Sequence, residues 1–116
     1  DNYVGMAQKQ GVLLHQLLQT HFADHPLVGE IRGQGLIGAV ELVADRDKPE
    51  AFDPSLKIAP RVAKRSMELG VITRALPAAD TVAFSPPFIV TDSELETIVK
   101  TVRKAVDEIA KEIGRM

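Results

Sequence analysis

The residues most able to do chemistry lie between Gly70 and Val90, in the run Gly-Val-Ile-Thr-Arg-Ala-Leu-Pro-Ala-Ala-Asp-Thr-Val-Ala-Phe-Ser-Pro-Pro-Phe-Ile-Val. Arg74 is a lone cation at the point where a short apolar strand, Val71–Thr73, is expected to stop. A polar connection containing a proline leads to a second strand, Thr81–Phe84, and then to Pro86-Pro87, which cannot donate ladder hydrogen bonds. An arginine at a strand end can read a carboxylate or phosphate through its planar, bidentate fork. The same spacing suits an exposed arginine that only solubilises a loop, and spacing leaves both readings open.

Other candidates are weaker. Gly33-x-Gly35-x-x-Gly38 matches the dinucleotide fingerprint letter for letter, but the fingerprint needs a strand before it and a helix after it. Here Leu36–Val43 follows, apolar and rich in β-branched residues, and reads as a strand. The glycines then serve a hairpin turn and close strand packing. His15, His21 and His25 lie on or just after the first helix without a metal-ligand pattern and are assigned surface or helix-end roles. Asp45, Asp47, Glu50 and Asp53 form an acidic loop without calcium-site spacing. Arg32 and Glu41 are expected to pair across a hairpin, although Arg32 could also face a neighbouring domain. The lysines fall on exposed helix faces or in polar loops, so none has the apolar setting of a nucleophile. No Ser/His/Asp set, paired acids or metal site suggests itself, and no residue is assigned a catalytic role.

The bulk composition narrows the classes. The chain has 116 residues, 45% of them hydrophobic and 26% charged, enough for one domain with a core. A net charge of −2, one Tyr and no Trp argue against nucleic acid or an anionic membrane as partner. There is no cysteine, which removes disulfides and thiolate chemistry and fits a cytoplasmic setting. No apolar run reaches the ~18 residues of a membrane span. The first residue is Asp and the opening residues read as helix, so the chain is expected to come from a longer one.

The elements that must position Arg74 follow from periodicity. Residues 3 to 23 carry Met6, Gln10, Leu13, Leu14, Leu17, Leu18 and Phe22 at helical spacing, with Gly5 and Gly11 weakening the helix by roughly 1 kcal/mol each. Leu27–Arg32 reads as a strand with Val28, Glu30 and Arg32 on one face, Gly33–Gly35 as a turn, and Leu36–Val43 as a central strand. Residues 44 to 56 form a loop anchored by Phe52. Lys57–Leu69 is a helix with Pro60 in its first turn, Ile58, Val62, Ala63 and Met67 on its buried side, and Gly70 as its stop. Thr91-Asp-Ser-Glu94 is a capping box, and Leu95, Ile98, Val99, Val102, Val106, Ile109 and Ile113 follow on one helical stripe. The order α-β-β-α-β-β-α implies an α+β fold: a small antiparallel-rich sheet covered by helices on one side.

The run Val28-Gly-Glu-Ile-Arg-Gly-Gln-Gly-Leu-Ile-Gly-Ala-Val-Glu-Leu-Val43 resembles the C-terminal domain signature of class III pyridoxal-phosphate aminotransferases. So do Leu69-Gly-Val-Ile-Thr-Arg74 and Asp80-Thr-Val-Ala-Phe-Ser-Pro-Pro-Phe-Ile-Val-Thr-Asp-Ser-Glu-Leu95. The resemblance covers essentially the whole chain. It implies that residues 1–116 are the small C-terminal domain of a fold type I enzyme, dimeric, with its active site between this domain and a large one. The lysine that carries the pyridoxal 5'-phosphate, and the other residues that hold it, belong to that large domain, so the chain alone is expected neither to bind the cofactor nor to transaminate. In the ornithine and acetylornithine branches an arginine stands at the position of Ala83. In ω-amino acid:pyruvate and amine:pyruvate transaminases it follows the Gly-Val/Leu-Ile-x strand, where Arg74 stands. The resemblance thus implies that Arg74 binds the substrate carboxylate of pyruvate or alanine and swings aside for an apolar amine, while Pro86, Pro87 and Phe88 are structural.

The competing reading is a free-standing module that senses a small carboxylate through Arg74, or mediates dimerisation, without catalysis. As part of an enzyme the chain would have as partners its large domain, a second subunit, and small amine and 2-oxo acid substrates. As a fragment it is expected to expose an apolar patch and to self-associate.

Overall fold

The computed structural model describes residues 3–48, 50–76, 80–87 and 90–115, with the side chains of Tyr3 and Val4 left out. Helix α1 spans Tyr3–Phe22, strands β1 and β2 Val28–Gln34 and Ile37–Leu42, helix α2 Ile58–Glu68, strands β3 and β4 Arg74–Leu76 and Thr81–Phe84, and helix α3 Asp92–Glu112. The four strands form one sheet in the order β1-β2-β4-β3, with every pair antiparallel. The expected order and α+β class hold, and β2 is central.

Ile31, Val40, Val82 and Ala75 form one row across the sheet, facing the core. α1 lies on this face: a Cβ added to Gly38 would meet Leu18 Cδ1 at 2.6 Å. α3 buries Leu95, Val99, Val102, Val106 and Ile109 and packs on α1 and α2. Its capping box forms as expected, with the Glu94 N–H donating to Thr91 Oγ1 at 3.2 Å and the Thr91 N–H to Glu94 Oε1 at 2.8 Å. Arg65–Glu108 at 2.5 Å and Arg61–Glu112 at 2.8 Å clamp α2 to α3. No helix among the described residues is long and apolar enough to cross a membrane.

Several expectations need correction. β1 continues through Gly33 and Gln34, so the hairpin turn is Gly35-Leu36, with Gly35 at a φ of 59°. A glycine first in a two-residue turn suits the strand twist. A bulge between Val28 and Glu30 breaks the simple alternation. Val28 therefore pairs with Leu42 on the core face, together with Ile31, and not with Glu30 and Arg32. Gly29 permits this bend, since a Cβ there would sit 2.7 Å from Val43 Cγ1.

On α2 the buried side is Ile58, Ala59, Val62 and Ser66. Met67 is 60% exposed, because Ser66 continues the inward line of Ile58 and Val62 at every fourth residue and the next residue is turned away from it. Met6, expected in the buried stripe of α1, is also exposed, and Ala63 is only half-buried. His25 is buried, not at the surface. Finally, the ladder of β3 begins at Arg74 and not at Val71, because Val71 is still occupied in ending α2. Its N–H bonds the Ser66 carbonyl at 2.8 Å while that of Gly70, at a φ of 96°, bonds Met67. Phe88 and the middle of the β3–β4 connection lie outside the described residues.

Candidate functional site

Arg74 is positioned by three devices. The Gly70 cap turns the chain out of α2, and buried Val71 fixes where it emerges. Arg74 then enters the sheet opposite Ala83. The carboxylate of Asp80, just before β4, accepts the Ala59 N–H in the first turn of α2 at 3.0 Å, while its carbonyl accepts the Leu42 N–H at 2.7 Å. Lys57, at the N-cap of α2, has a φ of 50° and no side-chain cap bond, so Asp80 supplies what the local sequence lacks. This ties the hairpin that carries Arg74 to both α2 and β2.

The result is a cleft of about 430 Å³ between Gly70–Arg74 on one side and Phe84–Pro87 on the other, with Ile98 of α3 completing it. Beyond Phe84 the two prolines lack N–H groups and cannot continue the ladder, so the chain peels away and leaves the cleft open. Ile72, 84% exposed, is two residues before Arg74 in the wall. Thr73 Oγ1 is buried with no hydrogen-bond partner among the described residues, an unspent polar group beside the arginine.

The arginines separate into two kinds. Arg32, Arg46, Arg61, Arg65, Arg103 and Arg115 each donate to an oxygen of this chain. Arg74 alone among the described arginines has no such acceptor; it is exposed and lines an otherwise largely apolar cleft. One permanent cation beside apolar walls can hold a carboxylate by paired N–H bonds.

Arg74 and Ala83 are direct cross-strand partners, and Arg32, Ala39, Ala83 and Arg74 form a single row on the face of the sheet away from α1. Arg32, at the far end, is engaged with Glu41 at 3.4 Å and Glu30 at 3.6 Å. The pairing with Glu41 is diagonal, since Arg32 lies opposite Ala39.

The remaining candidates serve the fold. Gly33 leaves room for the His15 ring, Gly35 makes the turn and Gly38 leaves room for Leu18. The His15 Nε2 contacts the Gly35 carbonyl at 3.0 Å. Asp45 accepts the Asp47 N–H at 2.9 Å and Asp53 accepts the Ser55 N–H at 2.9 Å, each making a local turn. Hydrogen bonding to Ser55 holds the Asp53 carboxyl below its usual range. Among the described residues no three acids or histidines gather as metal ligands would. Pyridoxal phosphate requires a lysine for its aldehyde and a charged partner for its ring nitrogen. The described cleft residues include neither a lysine nor a carboxylate, so they do not fit the cofactor. Sequence reading missed the Thr73 hydroxyl, the Asp80 cap and the buried His25–Asp107 pair. Asp80, directly before a strand and opposite an uncapped helix, left the only usable trace.

Comparison with known proteins supplies the remaining context. The family described as "Aminotransferase class-III" matches residues 1–106. An uncharacterized aminotransferase of Sinorhizobium fredii is 41% identical over 111 residues, which cover 96% of this chain and 24% of that protein. A diaminobutyrate–2-oxoglutarate transaminase of Halomonas elongata is 37% identical over 109 residues, covering 94% of this chain and 23% of that protein. The crystal structure of the omega transaminase from Pseudomonas jessenii in complex with PMP superposes with a TM-score of 0.88 at 45% identity, covering 97% of this chain and 24% of that one. The chain spans about a quarter of the length of these relatives.

Proposed function

Since this chain belongs to the class III aminotransferase family, we propose that it is the small C-terminal domain of an enzyme that moves an amino group from an amine or ω-amino acid to pyruvate or a similar 2-oxo acid. Arg74 binds the substrate carboxylate. The reading is carried by one observation: Arg74 is the arginine without an acceptor among the described residues, and it lines the cleft. The cofactor, pyridoxal 5'-phosphate, supplies the amino-group chemistry and is held by a large domain outside this chain. The cytoplasmic enzyme works as a homodimer, and this chain alone is inactive.

The task of Arg74 is binding and release. A guanidinium stays protonated throughout the working pH range, so it can pair with a carboxylate in one half of the reaction and withdraw from an apolar amine in the other without gaining or losing a proton. Its place on β3, the short edge strand of the sheet, leaves its side chain free to turn. Ile72 and the prolines offer apolar contact to the rest of the substrate.

The test is an acceptor profile of the aminotransferase that carries this chain, loaded with its cofactor and given an ω-amino acid or an aryl-alkyl amine. Formation of alanine from pyruvate is the expected result. An enzyme that aminates neither pyruvate nor any other small 2-oxo acid overturns the reading.

A further inference from the structure

We propose that the corner between α1 and β1 is an acid-sensitive latch: His25 fastens the start of β1 to α3 while its ring is neutral, and a second ring proton releases it. The ring is 1% exposed, so both nitrogens must find partners inside the protein. Nε2 faces Asp107 Oδ1 at 2.8 Å and carries the proton. Nδ1 accepts the Leu27 N–H at 3.1 Å. A neutral imidazole has one donor and one acceptor, and both are spent. A proton added at Nδ1 would point at an N–H, so this bond must break.

The surroundings set how the latch responds. From α3, Asp107 also accepts from Arg103 Nε at 3.0 and 3.2 Å, and Arg103 Nη1 bonds the His21 carbonyl of α1. From the loop after β2, Arg46 Nη1 bonds the His25 carbonyl at 3.1 Å. Two guanidiniums thus face the corner against one carboxylate. Burial pushes the His25 ring below its usual 6.5, Arg103 and Arg46 add to this, and Asp107 opposes it. The folded protein therefore binds fewer protons here than the unfolded chain. The stability held by the latch is complete above 6.5 and is lost as the pH falls through the lower folded value. β1 is an edge strand whose start is already bent by the bulge after Val28, so the corner can open without unravelling the central strands.

Amide hydrogen exchange of this chain, corrected for intrinsic rates between about pH 7.5 and about pH 4.5, tests the idea across the histidine range. The amides of Leu27 and Val28 should lose up to tenfold protection per pH unit below 6.5, levelling off once the ring of the closed corner is itself protonated, while Val102 in α3 keeps its own. His25→Asn offers Leu27 an acceptor two residues away that does not titrate, and should flatten the Leu27 profile. Asp107→Asn keeps the acceptor for Nε2 but removes the charge that favours a protonated ring, and should move the release to lower pH. The proposal is overturned by a flat wild-type Leu27 profile, by Leu27 and Val102 falling in step, by an unchanged fall in His25→Asn, or by a release in Asp107→Asn at the same or higher pH.

Discussion

Gly11→Ala should destabilise the protein, although in an isolated helix it would do the reverse. Ala is favoured over Gly in a helix interior by about 1 kcal/mol. Here Gly11 is buried against the tip of the β1–β2 hairpin. A Cβ at this position would lie 2.5 Å from the Gly35 carbonyl oxygen and 2.7 Å from its carbon. The obstacle is backbone and cannot swing away like a side chain. Relief requires the hairpin tip to lift off α1, which also strains the His15 contact to Gly35 at 3.0 Å, worth about 1 kcal/mol. Overpacking of this kind costs about 1–3 kcal/mol. Clash and lost contact together exceed the propensity gain by about 1–3 kcal/mol, a fall in Tm of roughly 4–12 °C for a domain of this size. Thermal unfolding followed by circular dichroism measures this directly. A Tm raised by about 4 °C, the propensity effect alone, would refute the close approach of helix and hairpin.

Removing the cap of α3 with Thr91→Ala should cost about 1 kcal/mol, read as a lower urea midpoint at unchanged m-value. Phe84→Ala, which empties a core position under the cleft, should cost about 3–5 kcal/mol in the same titration. Met67→Gln should stay within about 0.5 kcal/mol of the parent, because that side chain is largely in solvent; a loss beyond about 2 kcal/mol would place it in the core after all.

The fold was legible where a local signal and the long-range packing agree. The Thr91–Glu94 box and the apolar stripe after it specify α3 without help from the rest of the chain, and Gly70 ends α2 as its position suggests. The pattern Gly33-x-Gly35-x-x-Gly38 shows where agreement between letters and chemistry fails: one glycine bends, and two make room for His15 and Leu18. Only the strand that follows distinguishes this from a phosphate loop. Bulges escape periodicity altogether, which is why Val28 changes face. The first rung of β3 depended on where the α2 cap releases the chain, a contest between two hydrogen-bonding systems that residue types do not decide. His25 was hidden because its partners Leu27 and Asp107 are set by the packing of α1 on α3. Arg74 could be singled out from its strand-end position, but its lack of an acceptor among the described residues became visible only when the other arginines were seen to be paired.

The role of Arg74 is tested most directly by the two halves of the transamination, measured separately in Arg74→Ala of the aminotransferase that carries this chain. Loss of a charge-assisted bond worth about 1.5–3 kcal/mol predicts a KM for pyruvate raised roughly 10–150-fold. The KM for an aryl-alkyl amine, which has no carboxylate to pair, should change less than about threefold, a difference under 1 kcal/mol. Equal changes for the two substrates would contradict the assignment of Arg74 as the residue that reads the carboxylate.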